Sequence, residues 1–348
     1  RRLMANATLY TSQDPGGPGI FARGPVQSAF DILVPCLVTG YGSGSDAKPG
    51  QGWTVFHADL PTGFILKAPD GVFYIFMRSL NTSNNYDYYQ GQIWMAESIS
   101  EPVTYPPVGT NVRSMNHSPD YSTDSDRHWF HFGNTNTYPA YWAIAARGSQ
   151  VIFSFYTTAN DSGYGSNMTA TSNYGGSTFF GNLKLREPTA PVSGPQNSAF
   201  IGGAGEYPES QISSARYSFN IYGCYTYLRN PYTGIAETGS LASLVASPLP
   251  GATNNSYRIN PADPVLSDIV LTQVQAWLSG TGAVGWIPGL FYMGYTSHYA
   301  TAALMVRLGK SGSYSELRNP VSLAGEEFYI FPNSFGHWTV SLDEKYWQ

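Results

Sequence analysis

Glycine and proline occur along this chain at a density that argues against long helices. The chain has 37 Gly and 24 Pro among 348 residues, or about one residue in six. Glycine destabilises the interior of a helix, and proline interrupts its hydrogen bonds. Aromatic residues make up 15% of the chain and include 26 Tyr, and aromatic side chains favour β-strands. The sequence therefore predicts a mainly β protein with many turns.

One stretch near the start has the periodicity of an amphipathic helix. Its apolar residues recur at spacings of four, three and four, at Val26, Phe30, Leu33 and Leu37. Pro25 stands where this helix begins, and Pro35 is expected to kink or shorten it. For the rest of the chain we predict antiparallel sheets in sandwich-like or barrel-like domains, joined by long loops rich in Tyr, Asn and Gly.

Paired apolar runs on either side of a turn predict three β-hairpins. The turns are Pro69-Asp70-Gly71, residues 147–150 and residues 332–336. In the first, proline presets one turn dihedral and glycine accepts a positive φ. Further strand-like runs occur at 216–228, 265–278, 301–308 and 326–331.

Composition also suggests how the chain is divided. Residues 187–215 are rich in Pro and Gly, which is typical of a linker or an extended crossover. The predicted division is an extended N-terminal arm at 1–24, a β-rich domain with the helix at 25–186, the linker at 187–215 and a second β-rich domain at 216–348. Long polar loops are expected at 81–90, 104–127 and 157–178.

Charge, hydropathy and cysteine content exclude several classes of protein. The net charge of −5 lacks the positive footprint of a nucleic-acid-binding protein. No apolar run approaches the roughly 18 residues of a membrane span, so we expect a soluble chain. Cys36 and Cys224 form no CxxC motif and are expected to be reduced, as small hydrophobic side chains in a protein made in a reducing cytoplasm.

One glycine-rich stretch matches a cofactor-binding fingerprint in its letters but not in its context. Residues Gly280–Gly285 have the spacing of a dinucleotide-binding motif, which needs a helix directly after it. Trp286-Ile287-Pro288-Gly289 follows instead and prevents a helix from starting there. We interpret the stretch as a turn between strands and predict no cofactor.

Other candidate chemistry is also better explained by ordinary structure. Possible metal ligands cluster at Asp124, Asp126, His128 and His131, but on a strand the two histidines would point to opposite faces. The adjacent acids Glu326-Glu327 and Asp343-Glu344 are expected on the surface for the same reason. No nucleophile or metal-hydrolase signature is present, so we predict no catalytic and no metal-binding residues. A glycosidase remains the enzymatic alternative, because its two carboxylates have no sequence spacing to recognise.

The tyrosines of the long loops are the candidate contact residues. Tyrosine offers a broad, rigid surface with a polar tip, which suits contacts with proteins and with sugars. The predicted interface residues are Tyr10, Tyr86, Tyr88, Tyr89, Tyr164 and Tyr174. Leu9-Tyr10 is also expected to add to the edge of a sheet, so that another part of the chain or a neighbouring subunit orders the N-terminal segment.

Several short motifs together resemble a family of virion structural proteins of tailed bacteriophages. The most recognisable is Cys36-Leu37-Val38-Thr39-Gly40-Tyr41-Gly42 at the end of the helix, followed by Gly52-Trp53-Thr54. The other similar stretches are Leu9–Ser12 with Pro15–Pro18, Tyr141–Ile144 with Val151–Phe155, Phe179–Leu183, and Trp286–Tyr292. The sequence departs from the family pattern at Asn182, where an aspartate is usual.

This resemblance implies a non-enzymatic component of the virion, associated with the tail, baseplate or neck and assembled in the bacterial host cytoplasm. Its partners would be copies of itself and other virion proteins, held by symmetric contacts. The alternatives are a receptor-binding or carbohydrate-binding module that contacts host surface glycan, and a head decoration protein.

Overall fold

The computed structural model describes most of the N-terminal half of the protein and separate strands of the remainder. The described residues are 6–19, 25–78, 90–104, 106–114, 130–131, 140–157, 174–187, 198–204, 224–233, 236–238, 242–245, 271–278, 280–293, 320–323, 325–333 and 336–347. The predicted strand at 301–308 and most of the loop at 81–90 lie outside these residues.

Over its described residues the protein is mainly β, with antiparallel sheets and one short α-helix, as the sequence predicts. In chain order the strands are β1 (Thr8–Thr11), β2 (Thr54–Asp59), β3 (Gly63–Lys67), β4 (Phe73–Arg78), β5 (Gln90–Ala96), β6 (Ser98–Glu101), β7 (Val108–Thr110), β8 (Arg113–Ser114), β9 (Phe130–His131), β10 (Ala140–Arg147), β11 (Gln150–Thr157), β12 (Tyr174–Asn182), β13 (Lys184–Leu185), β14 (Ser198–Ala204), β15 (Cys224–Arg229), β16 (Ala236–Thr238), β17 (Ala242–Val245), β18 (Leu271–Leu278), β19 (Gly282–Met293), β20 (Val321–Leu323), β21 (Glu326–Asn333) and β22 (Gly336–Val340).

The N-terminal helix has the predicted position and is shortened in the predicted way. Helix α1 spans Pro25–Leu33 and continues as a π-helical segment over Val34–Thr39. Pro35 lies at the start of this segment, where its missing N–H prevents a regular helical hydrogen bond. Gly40 follows with φ of +75°, a conformation that favours glycine.

The three predicted hairpins are confirmed by their strand pairing. β3 pairs with β4 across Asp70, β10 pairs with β11 across residues 148–149, and β21 pairs with β22 across residues 334–335. Further local pairs are β2 with β3, β6 with β7, β18 with β19 and β20 with β21. All of these pairs are antiparallel.

The strands form three larger sheets and one isolated pair. The central sheet has the order β1-β10-β11-β12-β14-β15-β16. The N-terminal sheet has the order β2-β3-β4-β5-β8, with β9 also on β5, and the C-terminal sheet has the order β17-β18-β19-β22-β21-β20, with β13 on β19. The β6–β7 hairpin stands apart from them. Among the described strands no sheet closes on itself, which is compatible with a sandwich.

The central sheet is covered on both faces, so the protein has two stacked cores. Alternate residues of its strands point to opposite sides. On one side Trp142, Ile144 and Phe153 join α1 and the N-terminal sheet in the first core. On the other side Ala143, Ala145, Ile152 and Phe179 pack against the C-terminal sheet in the second core.

The central sheet crosses the predicted boundaries between the arm, the two domains and the linker. The central sheet takes strands from all four predicted segments: β1 from the arm, β10 to β12 from the first domain, β14 from the linker, and β15 and β16 from the second domain. Residues 198–204 of the predicted linker form β14, which contains two of its glycines, Gly202 and Gly203. The loops are also shorter than predicted, because β7 and β8 lie within 104–127 and β12 begins at Tyr174.

The N-terminal segment is part of the core. β1 pairs antiparallel with β10, which confirms that Leu9-Tyr10 adds to a sheet edge and that this chain orders the segment. The Ala7 amide also donates to the Leu342 carbonyl near the other end of the described chain. Segment 1–24 is therefore no separate arm over its described residues.

Candidate functional site

A group of polar and titratable side chains surrounds Asp14 inside the N-terminal part of the fold. The Asp14 side chain is fully buried and lies 2.6 Å from the Lys48 ammonium. The Tyr41 hydroxyl donates to the same carboxylate oxygen at 2.6 Å. The Thr11 amide donates to Asp14 Oδ2 at 2.8 Å, and its hydroxyl donates to Oδ1 at 2.9 Å. Both carboxylate oxygens are therefore satisfied by groups of the protein itself.

The electrostatics of this group favour an ion pair among neutral neighbours. Burial alone would raise the pKa of Asp14, but hydrogen bonds from Lys48, Tyr41 and Thr11 outweigh burial and hold this pKa below its ordinary value. Burial raises the pKa of the Tyr41 hydroxyl, and the nearby Asp14 carboxylate raises it further. Burial also raises the pKa of Cys36, which is a free thiol with no exposed surface. At neutral pH neither the hydroxyl nor the thiol takes its reactive ionised form.

The same group joins β1 to the loop that follows the π-helical segment. Lys48 also donates to the Leu9 carbonyl, and the Tyr10 hydroxyl donates to the Pro49 carbonyl. The Gln51 amide donates to the Tyr10 hydroxyl at 2.6 Å. Burial raises the pKa of Tyr10 to about 12. We call the side chains of Tyr10, Asp14, Tyr41, Lys48 and Gln51 the clasp, because together they hold the N-terminal segment in the fold.

Tyr10 is therefore not an exposed contact residue. Its side chain has no exposed surface and belongs to the first core, because β1 forms the edge of the central sheet beneath the loop. Of the other interface candidates, Tyr174 begins β12 opposite Thr157. Tyr86, Tyr88, Tyr89 and Tyr164 lie outside the described residues, so their contact role stays a prediction.

Exposed apolar side chains concentrate on two elements that no sequence pattern indicates. Among the described residues the exposed large hydrophobic side chains are those of Val55 (38% exposed), Phe56 (43%), Val103 (70%) and Val108 (50%). The first two lie on β2, and the other two lie on the β6–β7 hairpin. We call these two elements, which belong to different sheets, the apolar elements. None of the four residues is a tyrosine of a long loop, so the composition of the chain does not indicate them.

β2 forms the edge of the N-terminal sheet and is exposed on both faces. Most of its residues are exposed, whereas the first four residues of the neighbouring β3 are buried. The Phe56 ring packs edge-on against the Phe73 ring at a centroid distance of 4.9 Å. Phe73 belongs to the apolar cluster on the outer face of the N-terminal sheet. Phe56 thus extends that cluster to the surface.

The β6–β7 hairpin is a two-stranded ribbon with few anchors in the fold. Ile99 packs against the outer cluster of the N-terminal sheet. The Asn111 side chain donates to Glu97 at 2.9 Å at the base of the hairpin. Its strands are otherwise largely exposed, and Val103 lies in the turn between them. A two-stranded ribbon on its own is only marginally stable in water. Contact with further protein surface would therefore raise the stability of this hairpin.

The remaining sequence motifs have ordinary structural roles where the structure describes them. Gly280 and Thr281 lie in the turn between β18 and β19, and Gly282–Gly285 already belong to β19, with φ of +77° at Gly280 and +88° at Gly282. Glu326 accepts hydrogen bonds from Lys345 at 2.7 Å and from Tyr346 at 2.6 Å, in an exposed position.

Of the four candidate metal ligands, only His131 lies within the described residues. His131 ends β9, while Asp124, Asp126 and His128 lie outside the described residues. Within the described ranges no three His, Cys, Asp or Glu side chains gather closely enough to hold a metal ion. No helix in the same ranges is both long enough and apolar enough to cross a membrane.

Comparison with known proteins leaves the sequence resemblance without independent support. No protein-family model matches the chain, and no curated protein matches it. No solved structure matches it either.

Proposed function

We propose that this chain is a non-enzymatic structural component of a tailed-bacteriophage virion. It would be attached at the tail, baseplate or neck through symmetric contacts with copies of itself and with other virion proteins. The short motifs from Leu9 to Tyr292 support the virion assignment through their resemblance to such proteins. The contact mechanism rests on the exposed side chains of the two apolar elements.

The observation that carries the proposal is where the exposed hydrophobic side chains lie. Val103 and Val108 project from a ribbon that has little core of its own, and Val55 and Phe56 lie on an edge strand. Apolar side chains surrounded by few charges are typical of the buried centre of a protein interface. Only 12% of the residues in this chain are charged, which suits large standing interfaces.

The clasp around Asp14 supports the non-enzymatic part of the proposal. Its carboxylate, ammonium and hydroxyl groups are engaged with one another and with the backbone of β1. A catalytic base or nucleophile needs a side chain that can reach a substrate atom. These side chains instead hold two segments of one chain together.

Replacing both hairpin valines, Val103→Ser and Val108→Ser, is expected to reduce incorporation of the chain into particles several-fold. Truncating apolar hot spots of an interface commonly costs about 2 kcal/mol or more in binding free energy. The measurement is the amount of variant chain in particles assembled without the wild-type chain. The melting temperature of the purified variant should stay near that of the parent, because both side chains are exposed.

Thr104→Ala is the matched control, since Thr104 is an exposed polar residue of the same turn. It should enter particles as the parent does. The purified parent is also incubated with host surface polysaccharide. Normal incorporation of the double valine variant together with released sugar contradicts the proposal and favours a glycan-degrading enzyme. Normal incorporation with lost adsorption to the host favours a receptor-binding module.

A further inference from the structure

We draw no further inference here: the strongest candidate, the exposed apolar patch of Val55 and Phe56 on the edge strand β2 of the N-terminal sheet, carries nothing because no contact among the described residues shows what covers that edge.

Discussion

Replacing Asp14 with alanine is expected to lower the free energy of unfolding by about 3–5 kcal/mol. Removing one partner of a buried ion pair commonly costs this much, because the other groups lose their acceptor. Here the Lys48 ammonium, the Tyr41 hydroxyl and the Thr11 amide and hydroxyl all lose it. The measurement is chemical denaturation of the purified variant beside the parent.

The control for this prediction is Asp46→Ala, since Asp46 is exposed on a short turn of the same region. The loss of unfolding free energy in this control should stay within about 0.5 kcal/mol.

The lowered pKa of Asp14 also predicts that the stability of the protein depends on pH. Because its folded pKa lies below its unfolded value, its stabilising contribution is present above the unfolded pKa and is lost as the pH falls through the folded pKa. An Asp14→Ala variant as stable as the parent at neutral pH contradicts the role of the clasp.

Replacing Trp347 with alanine is expected to cost about 3–5 kcal/mol of stability. Its ring is 2% exposed and belongs to the second core, and its indole N–H donates to the Ser341 carbonyl at 2.7 Å. Removing a large buried aromatic side chain leaves a cavity that the surroundings fill only in part. Denaturant unfolding of the purified variant gives the value.

Gly289 provides the matched test, because the Trp347 ring lies directly over it. A Cβ atom on Gly289 would overlap that ring, and its φ of +66° disfavours other residues. Gly289→Ala should therefore destabilise the parent strongly and the Trp347→Ala variant less, with a coupling energy of about 1–3 kcal/mol. Equal costs in both backgrounds would mean that the ring does not pack as described. Trp347→Phe, which keeps a ring but loses the N–H, should cost less than Trp347→Ala.

The parts of the fold that depend on neighbouring residues could be predicted from the sequence. The turn at Pro69-Asp70-Gly71 combines a preset φ with a glycine, so the hairpin of β3 and β4 follows from local chemistry. The spacing from Val26 to Leu37 likewise predicts one helical face, and Pro35 accounts for its irregular end. The helix-breaking context after Gly285 correctly excludes a helix, because the chain continues there as β19.

The long-range pairings could not be predicted in the same way. β1 meets β10 across more than 130 residues, and β13 meets β19 across about 100 residues. No local pattern encodes which distant strand completes a sheet. Composition suggests a linker at 187–215 because the segment is rich in proline and glycine. A count of these residues does not show whether they lie in a linker or beside a strand such as β14.

The candidate contact residues show the same limit. Tyrosine content predicts a contact role for Tyr10. Whether a side chain is exposed depends on which element covers it, however, and Tyr10 is buried beneath the loop that contains Pro49. Val55 and Phe56 are exposed because β2 lies at an edge, which only the sheet order reveals. Their consecutive positions on the strand lack the alternation by which a half-buried strand is usually recognised.

The protein content of purified virions tests the proposed structural role most directly. Quantitative mass spectrometry of particles released by a host that carries this gene should find the chain at a fixed copy number per particle. That number should survive washing at high salt, because apolar contacts are not weakened by charge screening. A chain that is absent from purified particles, or that high salt removes from them, contradicts the account.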